Sequence, residues 1–298
     1  MNASVKTYTH KTCPCCGAAL RPGLCDWHWV CHACAYEGST LEAAINQADR
    51  HERVDESARS GALRELRQAN FARLLALIES HLPALAAGQA RARLLDVGAG
   101  HGWFVQAASV RHEVTGIEPD DGTRAGAAAA GVTLLPGYFP GCLHDGQRFE
   151  AIAFNDALEH MPDPRAVLAA AHCHLAPGGL LVLNLPNAQG LFYRLARVLM
   201  RAGWRAPFER MWQKGLPSPH LHYFKPDNLS ALARACGFTL VTQQALESLR
   251  LKGLYQRIAW ARRGAPVSSA LLWLAVLPLL PIVRLAPADI MVLVLRRA

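Results

Sequence analysis

Two pairs of cysteines near the start of the chain are spaced as metal ligands. Cys13 and Cys16 form one C-x-x-C pair, and Cys31 and Cys34 form a second pair after fourteen intervening residues. Four thiolates in this pattern hold a zinc ion tetrahedrally and leave no position for water, so we expect a structural site. Cys15 lies inside the first pair and is an alternative ligand.

A glycine-rich stretch, LLDVGAGHGWF, marks a second place where chemistry is expected. Gly98, Gly100 and Gly102 allow a sharp turn and a close approach of a ligand to backbone amides. Asp96 ends the preceding apolar run, and Glu118 ends the next one, where a carboxylate can accept from both hydroxyls of an adenosine ribose. Two ligands fit this pattern, a nicotinamide dinucleotide and S-adenosylmethionine.

Two further segments carry groups that can move protons. Glu159 and His160 lie in LEHMPDP, and His160 is a base suited to deprotonating a hydroxyl near neutral pH. The alternative is that His160 only caps the following helix or shapes its loop. In SPHLHYF, His220 or His222 is a candidate base or phosphate partner over an acceptor; the alternative is two loop histidines bonded to the backbone.

The elements that must position these residues follow from the apolar pattern. From Arg93 onward, apolar runs of strand length alternate with amphipathic helical stretches, as in EAIAFND, DPRAVLAAAHCHLAPGG and GGLLVLNLPN. This alternation is typical of β-α-β units, so the sequence predicts an α/β fold with a parallel sheet. The glycine-rich stretch then lies at the first turn from strand to helix.

Four segments, in this order, resemble the class I S-adenosylmethionine-dependent methyltransferases: LLDVGAGHG, GIEP, FNDALEHMPDP and LAPGGLLVLNLPN. The resemblance covers about Leu94 to Cys236. It implies a Rossmann-like, doubly wound sheet of seven strands with a final antiparallel strand. FTLVTQQAL and the terminal DIMVLVLRRA are suited to form the last two strands.

The same resemblance implies roles for individual residues. Glu159 and His160 resemble the Glu-His pair of ubiquinone-type O-methyltransferases, and Tyr138 and Phe139 are placed beside the adenine. The residues expected to bind S-adenosylmethionine are Asp96, Gly98, Gly100 and Gly102 in the methionine-side loop, Glu118 at the ribose, and Asn155 and Asp156 at the cofactor and substrate mouth.

The predicted organisation has three parts. A small zinc ribbon occupies residues 1–40, a helical linker occupies 41–90, and the methyltransferase domain occupies 91–298. Two insertions interrupt that domain. The one at about 188–219 mixes apolar and arginine residues and is expected to act as a lid or in acceptor recognition, and the one at about 247–287 is hydrophobic.

The charge distribution and the hydrophobic insertion point to a surface for anionic partners. The net charge is +8, and residues 191–263 hold 13 basic and 3 acidic residues. The apolar run at 268–283 contains two prolines and is shorter than the roughly twenty residues of a spanning helix. With Arg262 and Arg263 before it, this insertion is expected to contact a membrane surface peripherally; the alternative is a buried helix or a dimer interface.

The function that these features favour is methylation of an oxygen on a lipid-linked, saccharide or secondary-metabolite-like acceptor, with S-adenosylmethionine as cofactor and structural Zn²⁺. Because no signal peptide is evident, a cytoplasmic location at the membrane face is expected. One alternative is an RNA methyltransferase that binds RNA through the ribbon, although the basic residues lie far from the ribbon in sequence. Others are a non-catalytic scaffold and a nicotinamide-dependent oxidoreductase.

Overall fold

The computed structural model describes residues 12–47, 56–85, 88–248, 251, 253–261 and 266–298. Parts of the predicted ribbon, linker and C-terminal insertion, including Arg262 and Arg263, lie outside the described residues. The strands are β1 (Arg21–Pro22), β2 (His28–Val30), β3 (Glu37–Ser39), β4 (Arg93–Val97), β5 (Glu113–Glu118), β6 (Leu135–Pro136), β7 (Phe149–Asn155), β8 (Leu175–Pro186), β9 (His222–Tyr223), β10 (Phe238–Leu246) and β11 (Ile290–Arg297).

The helices surround and connect these strands. They are α1 (Glu56–His81), α2 (Trp103–Ala108), α3 (Asp121–Ala129), α4 (Pro164–His174), α5 (Leu191–Arg201), α6 (Ala206–Met211), α7 (Pro226–Ala235), α8 (Leu254–Ala261), α9 (Pro266–Val276) and α10 (Leu280–Leu285). Short 3-10 turns cover Leu158–His160 and Leu277–Leu279.

Seven strands form the large sheet, in the order β10-β11-β8-β7-β4-β5-β6. The pairs from β8 to β6 are parallel, and β11 runs antiparallel to both β8 and β10. This arrangement confirms the predicted seven-stranded α/β sheet, including the two C-terminal strands. Because β4 is flanked by β7 and β5, the carboxyl ends of these three strands meet at one edge.

The central strands are apolar because helices cover both faces of the sheet. Successive side chains of a strand point to opposite faces, and β4 shows this directly. Leu94 packs in a cluster with Leu74 and Ile78 of α1, whereas Leu95 packs in the cluster that holds Leu168 of α4 and Leu229 of α7. The long helix α1 therefore covers one face of the sheet.

A second, four-stranded sheet joins the N-terminal segment to the rest of the molecule. Its order is β1-β2-β3-β9, and all three pairs are antiparallel. The first three strands belong to the cysteine-containing segment, but β9 lies almost two hundred residues later, so the ribbon is completed by a strand from the larger domain.

The two predicted insertions are largely helical. Helices α5 and α6 lie within 188–219, and α8 to α10 lie within 247–287. The described helices include none that is both long and apolar enough to cross a membrane. Leu271 and Leu274 of α9 are nevertheless 63% and 57% exposed, which leaves an apolar surface on this insertion.

Candidate active site

The glycine-rich turn joins β4 to α2. Gly98 has φ +74°, and a Cβ there would lie 2.8 Å from the Cβ of Ala157. Gly102 has φ +73°, and a Cβ there would lie 2.6 Å from Val132 Cγ1. Both positions need the left-handed backbone and lack space for a side chain, so the sequence requires glycine at each. A Cβ on Gly100 would meet nothing within 4 Å, so this part of the loop faces open space.

Asp96 lies at the carboxyl end of β4 and is fully buried. The side-chain amide of Asn155, at the end of β7, donates a 2.8 Å hydrogen bond to Asp96 Oδ1. Burial raises the pKa of Asp96 to about 7, against the lowering effect of this hydrogen bond. Asn155 Oδ1 is buried and has no hydrogen-bond partner among the described residues. A buried acid and an unsatisfied amide oxygen are both suited to a ligand that brings cationic or N–H groups.

Glu118 lies at the carboxyl end of β5, next to β4. The backbone N–H of Gly100 donates to Glu118 Oε2 at 2.8 Å, and that of Asp120 donates to Oε1 at 2.9 Å. Burial raises the pKa of Glu118, although both hydrogen bonds act in the opposite direction. The carboxylate is therefore held rigidly against the glycine loop, and each oxygen keeps further acceptor capacity for a ligand hydroxyl.

Tyr138 and Phe139 separate in the structure. Phe139 is buried, and its ring contacts Phe154 of β7 at a centroid distance of 5.7 Å. Tyr138 is exposed, and its pKa is raised by partial burial and by the charges of Glu118 and Asp120. Tyr138 therefore faces the Glu118 side, while Phe139 is part of the core.

A tight connection leads from the end of β7 to the candidate catalytic residues. Asp156 follows Asn155 directly, is exposed and has φ +52°, and its backbone N–H donates to Asn184 O at 2.8 Å. The chain then forms the 3-10 turn that contains Glu159 and His160. Asn155, at the end of β7, is thus only four residues from Glu159 in the following 3-10 turn.

Three of the four candidate catalytic residues lie together. Ligand-type atoms of Glu159, His160 and His220 are all within 4.8 Å of one another. The rings of His160 and His220 meet edge to face at 4.8 Å between centroids, and His160 Nε2 is 3.9 Å from Glu159 Oε1. One carboxylate and two imidazoles are also groups that bind divalent cations.

Hydrogen bonds fix the orientation of the two histidines. His160 Nδ1 donates to the carbonyl of Pro219 at 2.9 Å, which leaves Nε2 as the basic nitrogen. The side-chain amide of Gln213 lies 2.8 Å from His220 Nε2.

Glu159 is buried without a conventional partner. Both carboxyl oxygens lack a hydrogen bond among the described residues, and the side chain is 1% exposed. Burial, together with the charge of Asp156, raises the pKa of Glu159 well above its ordinary value. A buried polar group that is left unpaired costs about 1–3 kcal/mol. Such a group beside two histidines is expected to gain a partner when a ligand binds.

His222 is placed differently from His220. Its Nε2 donates to the carbonyl of Met161 at 2.8 Å, and the hydroxyl of Tyr36 donates to its Nδ1. The ring is 2% exposed and connects the ribbon to the segment after Glu159 and His160. The structure therefore does not bring His222 into the cluster of the other three residues.

The four predicted zinc ligands are brought together. The Sγ atoms of Cys13, Cys16, Cys31 and Cys34 lie within 4.8 Å of one another, and two of the pairs are 3.5 Å apart. Tetrahedral zinc with Zn–S bonds of about 2.3 Å needs sulfurs about 3.8 Å apart, so the donor set fits the ion. Cys15 is buried but is not part of this group.

Sequence reasoning missed three residues that hold this region. Glu37 and Tyr36 follow the second cysteine pair, and Gln213 contacts His220. No periodicity marks them, because Tyr36 and Glu37 have partners 186 and 160 residues away and Gln213 lies in an irregular segment. The best signal was a Tyr-Glu pair beside the cysteines in a short, otherwise weak strand.

The edge of the sheet therefore combines a positive-φ glycine loop with buried acids at the ends of β4 and β5. Residues 30–243 match the family described as a methyltransferase domain. The chain belongs to this family, and with it to the class I S-adenosylmethionine-dependent methyltransferases. The Asp96, Asn155 and Glu118 arrangement fits that cofactor.

Two curated relatives are similar over part of the chain. The ubiquinone biosynthesis O-methyltransferase of Ruegeria pomeroyi is 28% identical over 180 residues, which are 56% of this chain and 65% of that protein. The protein of the same name from Psychrobacter arcticus is 36% identical over 124 residues, which are 37% of this chain and 47% of that protein. This chain thus spans about half to two thirds of the length of these relatives.

A solved structure shows the same fold. The S-adenosylmethionine-dependent methyltransferase from Archaeoglobus fulgidus superposes with a TM-score of 0.52 at 14% sequence identity. The match covers 82% of this chain and 100% of the other. At this level of identity the similarity concerns the fold alone.

Proposed function

We propose that this chain transfers the methyl group of S-adenosylmethionine to a hydroxyl oxygen of a small-molecule acceptor. The observation that carries the proposal is the cluster of Glu159, His160 and His220. Glu159 and His160 lie in the 3-10 turn that begins three residues after Asn155. The name and partial similarity of the O-methyltransferase relatives support the choice of oxygen.

In this proposal His160 acts as the general base. Bound S-adenosylmethionine supplies an activated methyl group and leaves as S-adenosylhomocysteine. His160 Nδ1 is engaged with Pro219 O, so Nε2 accepts the proton as the acceptor O–H bond breaks and the O–CH₃ bond forms. Glu159 and His220 flank that nitrogen and orient the acceptor hydroxyl. Alignment of these groups supplies most of the rate.

Methyl transfer from radiolabelled S-adenosylmethionine tests the proposal. The acceptor panel contains catechols with and without a polyprenyl chain, saccharides, transfer RNA and ribosomal RNA. We expect label on a hydroxylated small molecule and at least about a hundredfold lower kcat for His160→Ala, the usual contribution of a general base. His144→Ala, which changes an exposed histidine, is the matched control. Label on RNA alone would instead support the ribbon-dependent alternative.

RNA is the less favoured acceptor because the ribbon is packed against the domain. Cys13, Cys31 and Tyr36 belong to the main hydrophobic cluster, together with Phe224 and Leu229. The carbonyl of Pro14, within the first cysteine pair, accepts a 2.8 Å hydrogen bond from Arg165 of α4. Because these apolar and polar groups of the ribbon contact the rest of the molecule, the ribbon has less exposed surface with which to bind nucleic acid.

We further propose that the 247–287 insertion contacts an anionic membrane surface, where a lipid-linked acceptor is found. Leu271 and Leu274 are exposed on α9, beside a strongly basic stretch of sequence. Sedimentation with phosphatidylglycerol vesicles tests this. We expect binding that phosphatidylcholine vesicles do not support and that Leu271→Glu with Leu274→Glu abolishes. Val110→Glu, which alters an exposed valine elsewhere, is the control; equal binding by both variants would refute the contact.

The zinc ion is part of the proposal as well. Cys13, Cys16, Cys31 and Cys34 would hold it, and its chemistry there is structural because all four positions are filled by thiolates. Metal analysis of the purified protein is expected to give one zinc per chain, and Cys31→Ser is expected to remove it.

A further inference from the structure

The ribbon shares a sheet with the segment that carries the candidate catalytic histidines. Strand β3 pairs with β9, with Glu37 opposite Tyr223 and Gly38 opposite His222. The pairing continues beyond the strands, because Ser39 N–H donates to Leu221 O at 2.9 Å and Ser39 Oγ donates to His220 O at 2.9 Å. The hydroxyl of Ser39, a ribbon residue, therefore fixes the backbone of His220.

A second connection runs through His222. Tyr36 is 1% exposed, and its hydroxyl bonds His222 Nδ1, while His222 Nε2 donates to the carbonyl of Met161. Leu221 N–H donates to the carbonyl of Glu159 at 2.7 Å. The His220–His222 segment is thus held between the ribbon on one side and the Glu159–His160 turn on the other.

A third connection joins the ribbon to helix α5. Glu37 is 3% exposed, and its carboxylate accepts hydrogen bonds of 2.8 Å from His28, Tyr193 and Arg197. Burial alone would raise the pKa of Glu37, but the His28 hydrogen bond and the Arg197 charge bring it below its ordinary value. A buried charge with three partners fixes the relative position of the elements that supply them.

Helix α5 is linked to the same catalytic segment by stacking. The Tyr193 ring lies parallel to that of Tyr223, with 4.0 Å between centroids and 18° between planes. The stacking links α5 to β9, and Glu37 contacts both elements, α5 by hydrogen bonds and β9 by strand pairing.

The polar groups of the cofactor side are held by other hydrogen bonds. Asp96 is held by Asn155, and Glu118 is held by the backbone of Gly100 and Asp120, all within the large sheet and its loops. The hydrogen bonds of Tyr36 and Glu37 lead to His222 and α5, so we expect a change at either residue to affect His220 and α5 more than Asp96 and Glu118.

We propose that the ribbon, which carries the four clustered cysteines, is a positioning element of the acceptor half of the active site, meaning the half that contains Glu159, His160 and His220. Tyr36 and Glu37 are its positioning residues, and they act through His222, His220 and helix α5. This inference rests on the proposed function only in calling the affected half of the site the acceptor half. In this account the ribbon does not act as an independent binding module, and its main role is not to stabilise the whole fold.

The test uses the whole 298-residue chain, purified with added zinc, and two conservative variants, Tyr36→Phe and Glu37→Gln. Glu42→Gln, which changes an exposed acid just after β3, is the matched control. Calorimetric titration with S-adenosylhomocysteine reports on the cofactor half. Nitrogen NMR of ¹⁵N-histidine-labelled protein reports on the rings of His220 and His222, with signals assigned from His220→Asn and His222→Asn.

We expect the affinity for S-adenosylhomocysteine to stay within about twofold in both variants, while the ring signals of His220 and His222 shift. With an acceptor in hand, KM for the acceptor is expected to rise by up to about tenfold, the size of one hydrogen bond's contribution, while KM for S-adenosylmethionine is unchanged. Unmoved histidine signals, or equal weakening of both halves, would overturn the proposal.

Two safeguards keep the outcome decisive. If Glu37→Gln fails to fold or loses zinc, Ser39→Ala removes only the hydroxyl that donates to His220 O and is read in the same way. If the wild type binds S-adenosylhomocysteine but methylates no acceptor, the proposed function fails, whereas the NMR comparison still decides whether the ribbon positions His220.

Discussion

At the scale of single residues, Asp96 gives the clearest pH dependence. Its pKa is about 7 in the ligand-free protein because it is buried. Since the carboxylate form attracts a cationic ligand, the affinity for S-adenosylmethionine is expected to fall up to about tenfold per pH unit below pH 7 and to level off above it. Calorimetry from pH 6 to 8 measures this.

Asp96→Asn is the control for that titration. The amide keeps the size of the side chain but carries no charge, so binding is expected to be weaker at pH 8 and to lose the contribution of residue 96 to its pH dependence. Comparing the two proteins at each pH removes the effect of protons that the ligand itself binds. Identical pH profiles for the two proteins would show that the charge of Asp96 does not contribute to ligand binding.

The raised pKa of Glu159 predicts that its contribution to folding stability falls as pH rises, whereas an acid with a lowered pKa gives the opposite trend. Its folded-state pKa is raised, so the folded protein binds more protons than the unfolded chain above the ordinary pKa. Stability from this residue is therefore complete below about pH 4.5 and declines as pH rises toward the folded-state pKa. Glu159→Gln removes that decline.

Urea unfolding at pH 5 and pH 8 checks the prediction. Glu159→Gln is expected to gain stability relative to the wild type as pH rises between these values. Glu113→Gln, which changes an exposed acid on β5, should leave the difference unchanged. A constant difference between Glu159→Gln and wild type would contradict the assignment of a buried, neutral acid.

At the scale of elements, the turn between β4 and α2 depends on backbone conformation. Gly102→Ala places a Cβ at φ +73° and 2.6 Å from Val132, so it is expected to lower the unfolding free energy by about 1–3 kcal/mol and to weaken cofactor binding. Gly126 lies inside α3 with room for a methyl group, so Gly126→Ala is expected to add about 0.5–1 kcal/mol. Thermal unfolding distinguishes the two.

The same turn shows why local elements were predictable. Apolar runs of strand length, followed by glycines and then by an amphipathic stretch, describe β4, its loop and α2 without any distant information. Glu118 was predictable because it ends the next strand at a fixed spacing. Strands β10 and β11 followed from the family resemblance, since nothing local says that a C-terminal strand inserts between β8 and β10.

At the scale of the whole molecule, the decisive contacts join distant segments and could not be predicted. Tyr36 and His222 are 186 residues apart, and Glu37 and Arg197 are 160 apart. Pair contacts of this kind leave no period in the sequence. The spacing of the four cysteines predicted a ribbon. It did not predict that β9 completes the ribbon's sheet or that His222 links the ribbon to Met161.

The central claim is that the edge formed by β4, β5 and β7 binds S-adenosylmethionine, and calorimetric titration tests it most directly. The protein, purified with added zinc, is titrated with S-adenosylmethionine, S-adenosylhomocysteine and NADH, beside Glu118→Ala and the exposed-site control Glu113→Ala. The account predicts that both adenosyl ligands bind, that Glu118→Ala loses this binding, and that Glu113→Ala keeps it. Binding of NADH alone, or undiminished binding by Glu118→Ala, would contradict it.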